Sequence, residues 1–285
     1  MKIAHFPNFL PSNQDMVYPQ LIDAIKSTDE LVDNNMGADA ALIWSVLWFG
    51  KMSGNKRIWE HYRAQGKPVI VIEVGGLARN ETWKLGINGI NRDADFALDV
   101  GVNPDRVKQL GVQTKPWQFE EKDYILVCGQ HAHSLQWDGM PDMNTYFKDT
   151  VVEIREYSDK PIVLRSHPRF RENLHFAIDD PQWYKDQGCE WNIAKKVQQT
   201  YDSFDLENQL KETHLTISHS SNAGITSIIE GIPAIVSKHS LAYDMGSSFR
   251  ERLFTKRETW LINMCNIEYR ADEMDVAWGR LRQKL

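Results

Sequence analysis

The sequence has few cysteines, no long apolar run and no signal-peptide pattern. Its three cysteines, Cys128, Cys189 and Cys265, are far apart and form no CxxC pair, so neither a disulfide framework nor a zinc site is expected. No stretch approaches the roughly 20 apolar residues that a membrane-spanning helix needs. The N-terminal residues MKIAHFPNF have the pattern of a strand. We therefore expect a cytoplasmic protein without a membrane span.

Common nucleotide-binding and hydrolase motifs are also missing. The sequence contains no GxGxxG, GxxxxGK[ST], GxSxG or HEXXH pattern, so the usual dinucleotide, P-loop, hydrolase and zinc-protease sites lack their motifs. One DXD triplet, Asp93-Ala94-Asp95, has two hard carboxylate ligands for a divalent ion. It does not follow an apolar strand, however, and such a triplet arises easily by chance. We interpret it as a solvated acidic turn and expect no metal.

The chain alternates between apolar strands and helical segments. The net charge of −6 argues against a globally basic nucleic-acid-binding surface but leaves room for one local basic cleft. Alternation of this kind predicts parallel sheets of the α/β class. The polar stretch at residues 111–123 is interpreted as a linker. We predict two Rossmann-like domains over residues 1–115 and 116–270, whose sheets face a central cleft, followed by a terminal helix over residues 271–285.

The stretch from Thr213 to Lys238 is the most informative part of the chain. It predicts a strand, a polar turn over residues 219–222, a short helix over residues 223–230 and a stop at Gly231. A helix N-terminus that follows a strand favours an anion such as phosphate. The alternative is that Ser221 or Asn222 is an ordinary N-cap.

Three polar loops follow strands of the second half. Together they offer guanidinium groups, imidazoles, hydroxyls and a helix N-terminus, which suit a diphosphate. Arg165 and Arg169 have an alternative, which is pairing with acids of the DLEN segment at residues 205–208, and His167 has the alternative of a purely structural role. The loops are residues 129–131, 165–169 and 219–222.

Short motifs in both halves carry a family resemblance. The second half contains YILVCGQ, VLRSHPR and HLTISHSSNAGITSIIEGIPAIV, and the first half contains IEVGGLAR. They resemble GT-B glycosyltransferases of the capsule-polysaccharide type. In that group R-x-HP, S-S-N/T-x-G and G-x-P elements surround a nucleotide-sugar donor, and an E-x-G-x-L-R stretch occurs as well. Phage enzymes that glycosylate hydroxymethylated bases in DNA share the broad GT-B architecture, and a compact chain would suit them.

The resemblance implies a GT-B fold and transfer of a sugar from a nucleotide-sugar donor, with no separate cofactor. One departure concerns the helix that usually carries a carboxylate for the donor ribose, because Thr226 occupies that position. Glu230 at the helix end is locally unfavourable, so we expect it to have a cationic partner or to face the cleft. The expected donor-binding residues are Gln130, Arg165, His167, Arg169, Ser220, Ser221, Asn222 and Thr226.

An inverting transferase also needs a base that takes the acceptor hydroxyl proton. Glu73, at the end of a buried strand, is the first candidate, and its alternative role is a buried acid paired with Arg79 or Arg92. Asp15, in the first strand-helix loop, is the second candidate, and its alternative is an ordinary acid at a helix N-terminus.

The sequence leaves the acceptor and the exact activity open. A DNA acceptor requires a local basic surface and an apolar pocket for an extruded base, whereas a polysaccharide acceptor would use the same aromatic residues as sugar platforms. A nucleotide-sugar epimerase and a non-catalytic nucleotide-sugar-binding protein are further alternatives. Basic residues in the first half are Lys51, Lys56, Arg57, Lys84 and Arg92, and the candidate aromatic residues are Trp44, Trp48 and Trp83.

Overall fold

The chain folds into two units, each built on one β-sheet. The structure is a computed structural model that describes residues 1–168, 179–198 and 204–285. Unit 1 comprises residues 1–112, 133–135 and 258–285, and unit 2 comprises residues 113–132 and 136–257. No helix of the described residues is long and apolar enough to cross a membrane.

The regular elements of the described residues are numbered in chain order. The strands are β1 Lys2–His5, β2 Glu30–Asp33, β3 Ala40–Trp44, β4 Val69–Val74, β5 Trp83–Ile87, β6 Tyr124–Cys128, β7 Ile162–Arg165, β8 Cys189–Asn192, β9 Thr213–Ser218, β10 Ala234–Val236 and β11 Glu268–Tyr269. The helices are α1 Tyr18–Lys26, α2 Asn55–Ala64, α3 Arg106–Leu110, α4 Met143–Arg155, α5 Pro181–Asp186, α6 Leu206–Leu210, α7 Asn222–Ile229, α8 Glu258–Asn266 and α9 Met274–Leu281.

The sheet of unit 1 is mixed, with the order β11-β5-β4-β3-β1-β2. Strands β1 to β4 are parallel, whereas β5 runs antiparallel to β4 and β11 antiparallel to β5. One face packs on α1 and α9 through residues such as Leu21 and Trp278, and the other packs on α2 through Ile58 and Tyr62. The fully buried β3 matches the predicted two-sided strand.

Two strands of unit 1 lie where the sequence predicts other structure. The spacing of Leu21, Ile22, Ile25 and Leu31 predicts one helix over residues 17–31, but the helix ends at Lys26 and β2 follows it. The glycine-rich region 74–92 is predicted as a loop but contains β5. Strand β5 lacks a clear apolar pattern because its second residue, Lys84, is charged and yet buried.

The sheet of unit 2 has the order β10-β9-β6-β7-β8 and is entirely parallel. Helices α4 and α5 cover one face through Phe147 and Tyr184, and Leu210 of α6 packs on the other. The predicted strands at β6, β7 and β9 and the predicted helix at α7 agree with the structure within one or two residues. The prediction of two α/β units is confirmed.

Residues 258–270 lie with unit 1, although the sequence analysis places them in the second domain. Helix α8 packs on α3, and the side chain of Asn266 exchanges two hydrogen bonds with the backbone of Asn103. Arg106 of α3 also forms an ion pair with Glu273. These contacts depend on residues more than 150 positions apart, so local sequence patterns do not reveal them.

Candidate functional site

The carboxyl ends of β6 and β9 are joined by Gln130 and Ser220. The backbone N–H of Ser220 donates to Oε1 of Gln130 over 3.1 Å, and the Ser220 hydroxyl lies 3.1 Å from the same side-chain amide. Both residues are buried. Since ligands of parallel α/β sheets bind at this edge, the two predicted donor-binding residues form a preorganised polar pair there.

Helix α7 begins directly beside this pair. Ser221 is its N-cap, and its hydroxyl accepts the backbone N–H of Ala223 at 3.3 Å. The capping role foreseen as an alternative is therefore present. The Ser218 hydroxyl, at the end of β9, is buried and has no hydrogen-bond partner among the described residues. A helix N-terminus beside an unpaired buried hydroxyl has the polarity that an anion requires.

Farther along α7, the structure shows the contacts of Thr226 and Glu230. Thr226 donates its hydroxyl to the carbonyl oxygen of Asn222 over 3.0 Å, so that group is engaged within the helix. Glu230 forms an ion pair with Lys115, which is the expected cationic partner. Gly231 has φ +81° and ends the helix as predicted. A Cβ there would also lie 2.1 Å from the carbonyl oxygen of Pro116.

Imidazole rings line the same edge of the unit 2 sheet. The His131 and His167 rings are 5.5 Å apart, and His219 contacts Trp137 at 5.5 Å and His239 at 5.8 Å. Burial, with a smaller contribution from His239, lowers the pKa of His219. His219 is therefore mainly neutral at pH 7 and can donate one hydrogen bond and accept another.

Arg165 does not extend freely from β7. Its guanidinium pairs with Asp205 at 2.7 Å and contacts Asn192, and the side chain is 5% exposed. The foreseen alternative, pairing with the DLEN segment, is thus observed for Arg165. Its contribution to a donor site would be through groups that it positions. Arg169 lies outside the described residues.

At the carboxyl edge of unit 1, four polar residues form one row across adjacent strands, which we call the charged row. It consists of Ser45, Glu73, Lys84 and Glu268. Glu73 is opposite Lys84, and Lys84 is opposite Glu268. The Ser45 hydroxyl donates to Oε2 of Glu73 over 2.5 Å, and Oε1 of Glu73 accepts the N–H of Val74 over 2.8 Å.

Lys84 lies between two carboxylates and is 2% exposed. Burial lowers its pKa, while the negative charges of Glu268 and Glu73 oppose that shift. Glu73 is only partly buried, so it is the member of the charged row that is open to solvent. It lies opposite Lys84 in the strand register, a neighbour that the sequence did not predict.

Glu268 is fully buried and holds the loop after β4. Its carboxylate accepts hydrogen bonds from the backbone of Gly76 at 2.6 Å, the backbone of Leu77 at 3.1 Å and the Thr82 hydroxyl at 2.7 Å. A Cβ at Gly75 would lie 2.3 Å from the Glu268 carboxylate. This close approach explains why glycine stands two positions after Glu73.

Ser45, which contacts Glu73, has a strained backbone. Its φ is +60°, a value that non-glycine residues rarely adopt. The Ser45 N–H donates to the carbonyl of Ile72 over 2.8 Å, and its hydroxyl accepts the N–H of Leu47 at 3.2 Å. Such strain is commonly found at functional sites.

Other residues of unit 1 that the sequence predicts to be functional lie outside the charged row or are buried where exposure was expected. Asp15 is exposed in a short 3-10 helix. Lys84 is buried, so it does not contribute to a basic surface as the sequence analysis proposed. Trp44 and Trp83 are 3% exposed and belong to the core, whereas Trp48 is partly buried beside Trp59.

Cysteine and metal chemistry are not indicated in the described part of the chain. All three cysteines are free and buried. Burial raises the pKa of Cys128 to about 12, so its thiol is protonated. No group of three or more His, Cys, Asp or Glu residues that could hold a metal ion occurs among the residues that the structure describes.

Sequence reasoning missed Glu268, His239 and Trp137 and assigned Lys84 to a basic surface. The roles of Lys84 and Glu268 are recognisable only through the pairing of β5 and β11. His219 lies in the predicted loop 219–222, and His239 had an available signal, because it lies three residues after the end of β10. Trp137 had no comparable signal.

The fold and these two strand edges define an α/β protein of GT-B type. No protein-family model and no curated protein matches the chain. Among solved structures, the chain is similar to Thermosulfurimonas dismutans KpsC, beta Kdo 2,4 transferase, with 14% identity over 99% of this chain and 98% of that chain and a TM-score of 0.55. It is also similar to Thermosulfurimonas dismutans KpsC, beta Kdo 2,7 transferase, with 13% identity over 100% of both chains and a TM-score of 0.50.

A Methanocaldococcus jannaschii UDP-GlcNAc 2-epimerase in complex with UDP-GlcNAc and UDP is matched more distantly. The identity is 11% over 99% of this chain and 100% of that chain, with a TM-score of 0.37. The assignment of the fold rests on the two KpsC structures, and at their level of identity the likeness concerns the fold.

Proposed function

We propose that this protein is a glycosyltransferase that moves a sugar from a nucleotide-sugar donor to a hydroxyl group of a glycan. The observation that carries the proposal is the edge of unit 2, where the N-terminus of α7, the unpaired Ser218 hydroxyl and the Gln130–Ser220 pair lie together. The likeness in fold to two sugar transferases supports it.

In the proposed donor site, the charge of the diphosphate is met by dipoles. The N–H groups at the start of α7 carry partial positive charge, and the hydroxyls of Ser218 and Ser220 supply hydrogen bonds. Asn222 and His167 lie at the same sheet edge, and Arg165 fixes the end of β7 through Asp205. Preorganised donors of this kind stabilise the charge that develops on a leaving diphosphate.

Unit 1 would bind the acceptor and supply the base. Glu73, whose carboxylate accepts hydrogen bonds from the Ser45 hydroxyl and the Val74 N–H, is the first candidate for the base. Asp15, the second candidate, is exposed in a short 3-10 helix. Because a carboxylate held by the Ser45 hydroxyl and the Val74 N–H has remaining lone pairs, it keeps the capacity to accept a proton.

A glycan acceptor is favoured over DNA. Burial of Lys84 removes one of the five basic residues that a DNA-binding surface would use, and Lys56 is paired with Glu60 at 3.9 Å. The two KpsC structures of similar fold are Kdo transferases. A phage DNA-modifying role therefore has no support beyond shared architecture.

The test is a turnover screen with mass spectrometry. Nucleotide-sugars, including an activated Kdo donor and UDP-GlcNAc, are incubated with oligosaccharide acceptors and, separately, with DNA containing 5-hydroxymethylpyrimidines. A mass gain of one sugar on an oligosaccharide is expected. A gain on the DNA alone would reverse the choice of acceptor, conversion of donor without acceptor would indicate an epimerase, and no response to any donor would refute the proposal.

A matched pair of variants locates the donor site. Ser220→Ala removes a hydroxyl at the carboxyl edge of unit 2, and loss of one hydrogen bond of about 1.4 kcal/mol should weaken donor binding about tenfold. Ser158→Ala makes the same change before β7, at the opposite edge, where the hydroxyl accepts only the N–H of Lys160. Equal donor affinities of the two variants in calorimetry would place the donor elsewhere.

A further inference from the structure

Two exposed aromatic rings lie in and beside the loop that follows β3. The side chain of Phe49 is 47% exposed and stacks on the ring of His133, with an interplanar angle of 7° and centroids 5.7 Å apart. His133 is exposed as well, and residues 133–135 belong to unit 1. A single exposed phenylalanine is ordinary. Two parallel rings that are both open to solvent form a surface on which a ligand can stack, and we call this pair the aromatic platform.

A short backbone ladder holds the aromatic platform in place. The N–H of Trp48 donates to the carbonyl of His133 over 2.7 Å, and the N–H of Leu135 donates to the carbonyl of Val46 over 3.0 Å. The two segments run antiparallel. Both rings are therefore carried by a fixed backbone, so little conformational entropy would be lost when a ligand binds to them.

The ladder begins next to the residue that holds the candidate base. The Ser45 hydroxyl donates to Glu73 over 2.5 Å and accepts the N–H of Leu47 over 3.2 Å. Since four residues span at most about 14 Å, the Cα atom of Phe49 lies within that distance of the Cα atom of Ser45. Strands β3 and β4 are parallel, so Glu73 and the loop that carries Phe49 follow the same edge of the sheet. A di- or trisaccharide is long enough to cover this distance.

The chemistry of this edge favours a sugar over a nucleobase. Aromatic ring faces bind the C–H groups on the apolar face of a pyranose, although they also stack on nucleobases. The Glu73 carboxylate is partly open to solvent at the same edge. It would repel a phosphate backbone, whereas it can accept hydrogen bonds from the hydroxyl groups of a sugar.

We propose that Phe49 and His133 form a remote acceptor subsite, which binds a sugar unit beyond the one that reacts beside Glu73. Contacts at such a distance hold the acceptor chain so that its reacting hydroxyl stays near the base. The acceptor class is therefore a disaccharide or a longer oligosaccharide, because a monosaccharide would not reach the aromatic platform. This inference rests on the proposed function and adds to it the residues that select for acceptor length.

Phe49→Ala is the central variant, and Phe119→Ala is its matched control. Phe119, in the segment before β6, is 66% exposed and its ring lies 4.5 Å from that of Phe254, so the same truncation is made at another exposed aromatic contact. Phe49→Ala should raise the KM of a trisaccharide acceptor about tenfold, the effect of one lost stacking contact. The KM of a monosaccharide acceptor and the donor affinity should not change. Equal trisaccharide KM values for the two alanine variants would overturn the inference.

Two further substitutions at the same position separate the aromatic ring from its bulk. Phe49→Trp keeps a ring and should stay within about threefold of wild type. Phe49→Leu keeps apolar bulk without a ring and should behave like Phe49→Ala, and it provides the same test if the alanine variant is unstable. A Phe49→Leu enzyme with the wild-type trisaccharide KM would contradict stacking on the ring.

Binding to an array of immobilised mono- to hexasaccharides tests the subsite without turnover. Wild type and Phe119→Ala should retain oligosaccharides, and Phe49→Ala should lose most of that signal, because the lost contact weakens affinity about tenfold. No retention by wild type would refute the inference. Retention that depends on Phe49, in a wild type that transfers no sugar, would support the subsite and count against the glycosyltransferase proposal. Sugar transfer together with retention that does not depend on Phe49 would do the reverse.

DNA is tested as the alternative occupant. Lys51 and Arg57 are exposed on the elements that follow Phe49, so fluorescence anisotropy with a single-stranded oligonucleotide is measured for wild type and both alanine variants. We expect any oligonucleotide binding to be the same for all three. A loss that is specific to Phe49→Ala, with array binding unchanged, would overturn the inference and assign the aromatic platform to nucleic acid.

Discussion

The carboxyl edges of the two sheets occupy equivalent places in their units and differ in chemistry. The edge of unit 1 carries full charges, with Glu73, Lys84 and Glu268 in one row and the His5–Asp33 pair on β1 and β2. The edge of unit 2 presents mainly amide, hydroxyl and imidazole groups, and the buried guanidinium of Arg165 is engaged by Asp205.

This difference suggests that the two units of one fold have different functions, one suited to binding an anion and the other to accepting a proton. A site that binds a charged diphosphate works best with fixed dipoles, because its own charges would otherwise need partners in the empty state. A site that accepts a proton needs an ionisable group whose surroundings are fixed by other charges. The chemistry of each edge therefore suggests its role independently of the fold.

The largest loss of stability should come from removing the charge of Lys84 in unit 1. Lys84→Met removes the buried cation between Glu73 and Glu268, and leaving buried carboxylates without their opposite charge costs about 3–5 kcal/mol. In unit 2, Arg165→Met should cost less, because the Asp205 side chain is 23% exposed and can be hydrated. Urea denaturation followed by circular dichroism measures both. Equal losses would show that the edges are electrostatically alike, and Lys56→Met, at an exposed pair, should change little.

Glycine-to-alanine substitutions compare how tightly the two sheet edges are packed. Gly75→Ala brings a Cβ within 2.3 Å of the Glu268 carboxylate, which is held by three hydrogen bonds, and should destabilise the protein by about 2–4 kcal/mol. Gly224→Ala in α7 meets a Val236 methyl group at 2.7 Å, and this side chain can shift, so about 1 kcal/mol is expected. Gly279→Ala in α9 meets nothing within 4 Å and serves as the control, with a small gain expected. A more stable Gly75→Ala variant would contradict the close approach of Gly75 to the Glu268 carboxylate that the structure shows.

The neutral state of the unit 2 edge predicts a pH dependence. Because the folded pKa of His219 is lowered, the unfolded chain binds a proton more readily, and stability should fall as pH decreases below about 6.5. Contributions from carboxylates such as Asp29, whose pKa is lowered to about 2, appear only at lower pH. Thermal melts between pH 7.5 and 5.5 should show a shallower slope for His219→Gln than for wild type. An unchanged slope would show that His219 is not responsible.

The smallest effect is expected at Thr226. Since its hydroxyl bonds the carbonyl of Asn222 within α7, Thr226→Val should change stability by less than about 0.5 kcal/mol and donor affinity less than twofold. Calorimetric titration with the donor identified by the turnover screen provides the measurement. A tenfold weaker affinity would instead support the donor-binding role that the family resemblance implies for this position.

The accuracy of the sequence predictions follows the range of the interactions involved. The strand, turn and helix around Ser221 are predictable because an apolar run, a capping serine and Gly231 are local signals. Strands β5 and β11 are not, because they depend on partners almost 200 residues apart and on a buried lysine that looks like a surface residue. The proposed donor-binding residues were predicted from short motifs, and two of them, Gln130 and Ser220, are hydrogen-bonded to each other. The contact between His5 and Asp33 was not predicted, because the two residues come together only through the pairing of β1 and β2.

The hydrogen bonds between Glu268 and the loop after β4 affect the order in which the two units can fold during translation. The loop that it holds, beginning at Gly76, leaves the ribosome about 190 residues before Glu268 does. All of unit 2 is translated in between, so unit 2 can fold on the nascent chain while the sheet of unit 1 still lacks its edge strand. A chain interrupted before β11 would carry the complete carboxyl edge of unit 2 but an unfinished charged row, so the charged row is the last of the two edges to be completed.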